Sequence, residues 1–209
     1  MVQVRGEMTQ TRTVRPVEPI GFSLAELMFA VALGVTLTAI AVPAILAGLD
    51  DVRTGGAARY LAGRIQLLRM EAVKRSADVG ILFDNNDREH AYAAYIDGNW
   101  NGVRTADVRT GVDVKLGPSE RIGDKFQGVH FGIVEGVTAI DGGGALDADG
   151  DAVRLGRSDI LTMTPSGTAT SGTIYVRGRA RQYAVRVLGA TGRTRVLEFN
   201  FGAGRWVAR

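Results

Sequence analysis

Gly21-Phe-Ser-Leu-Ala-Glu26 opens directly onto Leu27-Met-Phe-Ala-Val-Ala-Leu-Gly-Val-Thr-Leu-Thr-Ala-Ile-Ala-Val-Pro-Ala-Ile-Leu-Ala-Gly-Leu49. No charged residue lies between Leu27 and Leu49. A run of this length is about what a helix needs to cross the hydrocarbon of a bilayer. Polar or small interruptions are few: Gly34, Thr36, Thr38, Pro43 and Gly48. Glu26 stands at the very start, and a carboxylate at a membrane boundary is costly without a partner, so a functional role is expected for it. A cleaved secretory signal peptide has a shorter apolar core and small residues at its exit. Here the run is longer and the glycine precedes it.

Residues 21–26 resemble the processing site of type IV pilins and of the pseudopilins of type II secretion. The resemblance implies that a prepilin peptidase cuts between Gly21 and Phe22 and methylates the new N-terminal Phe22. It also makes Glu26 the fifth residue of the mature chain, where the family uses a glutamate in subunit assembly. Pro43 falls where many members kink the helix. The expected organisation is a leader over 1–21, a transmembrane stem helix over 22–49 and a periplasmic domain over 50–209. The implied location is the bacterial inner membrane, single-pass, with the subunit assembled into a pseudopilus or pilus.

The chain has 209 residues, and about 160 remain beyond leader and stem, enough for one domain with its own core. It has no cysteine, so neither disulfides nor thiolate chemistry are available. Glycine is abundant at 28 residues, which favours short turns between strands. The net charge of +3 hides an asymmetry. Residues 84–159 hold 14 acidic and 8 basic side chains, whereas residues 173–209 hold eight arginines and the single acid Glu198. Such a split predicts two faces with different partners.

Asp50, Asp51 and Arg53 mark the exit of the stem into water, and Gly55-Gly56 is expected to loosen the helix there. Leu61, Ile65, Leu68 and Ala72 then recur at spacings of three and four, predicting an amphipathic helix over about 57–76. From Val79 the period changes. Strands are expected at 79–83 and 91–96, joined by the turn cluster Asp84-Asn-Asn-Asp87. Further strands are expected at 112–116, 129–134, 160–163, 173–176, 183–187 and 196–201, with a Gly/Asp-rich loop at 141–151. The fold class is therefore α+β: a long N-terminal helix packed on an antiparallel β-sheet domain. Residues 68–75 followed by Val79 resemble the GspH/FimT branch of minor pseudopilins and minor pilins. That branch implies a type IV pilin-like domain and other pseudopilins or pilins as partners.

No catalytic constellation is apparent, and no enzyme is expected. His90 and His130 are isolated, Ser158 and Ser166 lack a nucleophile elbow, and Gly142-Gly-Gly144 lacks the lysine of a phosphate loop. Asp97-Gly-Asn99-Trp-Asn101-Gly102 places oxygen ligands at alternate positions, as in the first half of a calcium loop, making Asp97, Asn99 and Asn101 a metal candidate. The bidentate glutamate of such a loop is replaced by Val108, with Asp107 beside it. Asp147, Asp149 and Asp151 form a second acidic cluster; for both, a solvated Asx-rich turn is the competing reading. Gly178-Arg-Ala-Arg181 and Gly192-Arg-Thr-Arg195 share a Gly-Arg-x-Arg pattern. The second copy resembles the C-terminal motif of FimT-like minor pilins, which implies the alternative function of DNA binding through Arg193 and Arg195. Tyr183 and Trp206 would then offer stacking faces. The principal expectation is a minor pseudopilin of a type II secretion system.

Overall fold

The structure is a computed structural model that describes residues 21–84, 91–156 and 158–209. The leader up to residue 20, the turn cluster after Asp84 and His90 lie outside the described residues. Helix α1 spans Leu24–Arg75 without interruption, through Pro43 and through Gly55-Gly56. By compactness the chain divides into Met1–Pro43 and Ala44–Arg209, and each is taken separately.

In the first unit, α1 is apolar and exposed on all sides: Leu27, Met28, Phe29, Val31, Leu33, Val35, Leu37 and Ile40 all face outward. This is the one helix, among the described residues, long and apolar enough to cross a membrane. Its two threonines are accommodated because each hydroxyl donates to a carbonyl one turn back, Thr36 to Ala32 and Thr38 to Gly34, both at 2.8 Å. That satisfies the hydroxyls within the helix, as an apolar environment requires.

In the second unit, α1 buries Thr54, Gly55, Ala57, Ala58, Leu61, Ile65, Leu68 and Ala72, the 3.6-residue stripe of an amphipathic helix. Leu61 and Ile65 are fully buried, and each contributes about 1.5–3 kcal/mol by leaving water. The expected loosening at Gly55-Gly56 does not occur. A Cβ on Gly55 would stand 3.1 Å from the Tyr183 hydroxyl, and one on Gly56 would stand 3.1 Å from the Phe126 ring. The two glycines bring the helix close to its neighbours.

Two antiparallel sheets share the core with this helix. One is ordered β3-β2-β1-β6, from β1 (Val79–Phe83), β2 (Tyr92–Ile96), β3 (Val114–Lys115) and β6 (Ile160–Met163). The other is ordered β10-β9-β8-β7-β4, from β4 (His130–Phe131), β7 (Gly172–Arg177), β8 (Gln182–Leu188), β9 (Arg193–Asn200) and β10 (Arg205–Ala208). Strand β5 (Val153–Arg154) also pairs with β7. Short helices α2 (Thr105–Thr110) and α3 (Ile122–Lys125) fill the crossing between β2 and β4.

Several expected strands are shorter than their apolar runs. Of residues 112–116 only Val114–Lys115 pair, and of residues 129–134 only His130–Phe131. Neither α2, α3, β5 nor β10 was expected from the sequence pattern. Val129, Ile133 and Val137 are buried all the same, as core-filling loop residues. Their chain leaves the ladder because a side chain takes its place: Gln182 Oε1 accepts Val134 N–H at 2.7 Å, and Gln182 Nε2 donates to Gly132 O at 3.2 Å.

A polar cluster ties α1 to the segment before α3. Glu120 meets Arg64 at 3.1 Å, Lys125 at 2.6 Å and the Tyr60 hydroxyl at 2.5 Å. Burial pushes the Glu120 carboxyl up, but the bonds from Lys125 and Tyr60 and the charges of Arg64 and Lys125 outweigh it, and the group is held below the usual carboxylate range. A depressed carboxyl stabilises the fold above its unfolded value and loses that contribution as pH falls through the folded value. The melting temperature of the parent should therefore exceed that of Glu120→Gln at neutral pH, and the gap should close below about pH 4. A gap independent of pH would show that the ion pairs contribute nothing.

Candidate functional site

The N-terminal motif is built on the first turn of α1. Ser23 caps the helix, its Oγ accepting Glu26 N–H at 3.2 Å, while Glu26 Oε2 accepts Ser23 N–H at 2.9 Å and Ser23 Oγ–H at 3.0 Å. This reciprocal pair is a capping box, which satisfies otherwise orphaned N–H groups at the helix start. The Ser-x-x-Glu spacing carries that signal in the sequence. Phe22 is 89% exposed immediately before it, and a Cβ on Gly21 would meet nothing within 4 Å.

Asp50 and Asp51 do not simply mark an exit into water. The Asp50 carboxylate accepts the backbone N–H groups of Arg179 and Ala180, each at 2.8 Å. Asp51 accepts the Tyr183 hydroxyl at 3.0 Å and faces Arg181 at 3.7 Å. The first Gly-Arg-x-Arg copy is thus the hairpin turn between β7 and β8, closed by Gly178 N–H to Arg181 O at 2.9 Å and clamped to α1. A Cβ on Gly178 would stand 2.2 Å from Thr54 Oγ1 and 2.3 Å from Asp50 Oδ1. Gly192 of the second copy sits at φ +60°, and a Cβ there would stand 2.5 Å from Gly167 O. It too is pressed towards α1: Gln66 Nε2 donates to Gly192 O at 2.9 Å, and Arg69 Nε donates to Gly167 O at 2.9 Å. Both repeated glycines therefore serve close approach of a hairpin to the helix.

The arginines of the two copies differ. Arg181 is engaged by Asp51 and by Glu198 at 3.6 Å, and Glu198 also binds Arg209 at 2.5 Å. Arg193 and Arg195 are exposed on β9. Strand alternation puts them on the face opposite Thr194, whose hydroxyl meets Gln66 of α1 at 3.4 Å. The expected stacking faces are not available. Tyr183 is buried with its hydroxyl on Asp51, and Trp206 packs edge-on against Phe199 and donates Nε1–H to Thr138 O at 2.8 Å. Alternation alone does not show that Tyr183 lies under α1 and Trp206 against Phe199.

The Asp97 loop closes on its own hydrogen bonds. Asp97 Oδ1 accepts Asn99 N–H at 3.0 Å and Trp100 N–H at 2.9 Å, and Oδ2 accepts Gly102 N–H at 2.7 Å. Asn101 Nδ2 donates to Asp107 Oδ2 at 3.0 Å. The nearby Asp113 is buried, accepting Gly98 N–H and Arg104 N–H. Among the described residues no group of three or more His, Cys, Asp or Glu side chains could hold a metal ion. His130 lies in β4 opposite Arg177. Asp147 and Asp151 each accept a backbone N–H two residues on, from Asp149 and Val153.

An apolar N-terminal helix long enough to cross a membrane continues into a helix packed on two antiparallel sheets. Residues 57–191 match the model of the family described as type II transport protein GspH, and the chain belongs to that family. Two solved structures of the minor pseudopilin EpsH from the type II secretion system of Vibrio cholerae are similar to it. One is 16% identical with a TM-score of 0.43, covering 70% of this chain and 97% of its own. The other is 18% identical with a TM-score of 0.42, covering 70% and 94%. No curated protein matches the chain in sequence.

Proposed function

We propose that the protein is a minor pseudopilin of a type II secretion system, a structural subunit of the periplasmic pseudopilus. The observation that carries this reading is membership of the GspH family over residues 57–191, joined to a processing motif at residues 21–26. A prepilin peptidase cuts after Gly21 and methylates Phe22. The apolar part of α1 holds the precursor in the inner membrane as a single span, with the β-rich domain in the periplasm. On assembly the stem leaves lipid for the filament interior. Its fully exposed apolar surface supports this, because such a surface needs either lipid or other stems around it. Glu26, buried there, pairs with the N-terminal amine of a neighbouring subunit and sets the axial register.

The reading asks no chemistry of the soluble domain and requires neither calcium nor another cofactor. The DNA-binding alternative rests on Arg193 and Arg195 alone, since Tyr183 and Trp206 are committed to packing. Crosslinking in the producing cell tests the proposal. The chain should join the other pilin-like subunits of one secretion system. Crosslinks confined to subunits of a retractable pilus would move the assignment to a minor pilin.

A further inference from the structure

A cleft of about 480 Å³ opens on the face of the larger sheet opposite α1, over β7 and β8. Its floor is Thr173 and Tyr175 of β7 and Arg186 of β8; Thr173 and Arg186 are register partners. The Arg186 guanidinium forms an ion pair with Asp141. Arg154 of β5 lies over the Tyr175 ring, its Cζ 5.9 Å from the centroid, and is anchored by Nε–H to Asp151 O at 3.1 Å. Burial pushes the Tyr175 phenol up from its ordinary value, which keeps the hydroxyl neutral. The cleft therefore holds two guanidinium groups, one carboxylate and hydroxyl donors, a residual positive charge.

The carboxylate is lodged asymmetrically. The Asp141 side chain is 72% exposed, against 29% for Arg186. Asp141 begins the stretch Asp141-Gly-Gly-Gly144, and Gly142 has φ +76°. The carboxylate, largely exposed on a surface turn, is therefore the more easily displaced member of the pair. Arg186 is fixed in a central strand.

We propose that this cleft is a binding site for an acidic segment of a partner protein, whose carboxylate takes the place of Asp141 on Arg186. The Asp141 pair already fits a carboxylate to the guanidinium, and one retained negative charge disfavours a dianionic phosphate. Arg154, exposed at the cleft rim, then receives a second acidic group. Asp141 acts as an internal competitor, keeping Arg186 paired until the partner arrives.

Trp206 reports on the site, because its ring lies 5.9 Å from Tyr175. The full chain in zwitterionic detergent micelles, carrying Trp100→Phe to leave one indole, is titrated with hexaglutamate. The expected result is a saturable change in fluorescence. Arg186→Gln should weaken binding at least about tenfold, the loss of one charge-assisted contact. Asp141→Asn should tighten it several-fold, and Asp124→Asn, an equal change in net charge on α3 outside the cleft lining, should leave it unmoved. Asp141 is exposed on a loop, so that variant reads the proposal even where Arg186→Gln fails to fold. No saturation would overturn it. So would equal tightening by Asp124→Asn, or equal weakening by Arg104→Gln with Arg109→Gln, exposed arginines around α2, since both mean diffuse charge. Tighter binding of a short oligothymidylate, lost in Arg186→Gln, would replace the acidic peptide with a phosphate ligand.

Discussion

Gly21→Val is expected to leave the precursor uncut in the membrane fraction. A Cβ at this position meets nothing within 4 Å, so the substitution does not disturb the chain's own fold. On the proposed processing the effect is expected in the peptidase, where a stiff β-branched side chain before the scissile bond should clash in a site shaped for glycine. Exposed Phe22 and the capped first turn of α1 should still present the bond, so loss of cleavage isolates the side chain at position 21. Intact-mass spectrometry of the membrane fraction separates precursor from mature chain. For the parent, the expected N-terminus is methylated Phe22. A mature parent chain beginning elsewhere, or normal processing of Gly21→Val, contradicts the assignment.

Glu26→Ala is expected to leave cleavage and membrane insertion intact and to abolish incorporation into the filament. Two physical roles compete for this carboxylate. Within the chain it closes the capping box with Ser23, and losing a cap costs about 0.5–2 kcal/mol of helix stability. In the proposed filament it pairs with a neighbouring subunit's buried amine, and removing one partner of a buried pair costs about 3–5 kcal/mol, roughly a hundredfold or more in association. Glu26→Gln separates the two, because glutamine still serves a capping box but carries no charge. Incorporation measured by crosslinking should fail in both variants. Rescue by glutamine would make Glu26 a cap and nothing more.

The elements most legible in the sequence are those set by a single period. The stripe Leu61, Ile65, Leu68 and Ala72 is the buried face of α1, and the alternation from Val79 begins β1 as expected. Legibility fails where tertiary contact overrides local chemistry. Gly55-Gly56 reads as a weak point only when the Tyr183 and Phe126 side chains are out of sight. Asp50 and Asp51 read as solvated because their partners, the β7–β8 turn and Tyr183, lie more than a hundred residues away. Residues 182–185 are all buried, so β8 lacks the polar-out alternation that would have warned that Tyr183 has no free face. The capping box is legible in the Ser23-x-x-Glu26 spacing directly ahead of the apolar run. The cleft over Tyr175 joins Asp141, Arg154 and Arg186 from three separate segments and has no local pattern at all.

Secretion itself tests the assignment most directly. In the producing bacterium, the coding sequence is deleted and replaced by the parent or by Glu26→Ala, and the proteins released into the medium are compared quantitatively. A pseudopilin predicts that folded periplasmic proteins normally exported by the type II system accumulate inside the cell in the deletion. The parent should restore their release and Glu26→Ala should not. Unchanged release, together with loss of DNA uptake that returns with the parent but not with Arg193→Ala and Arg195→Ala, would contradict the account and place the protein in a type IV pilus.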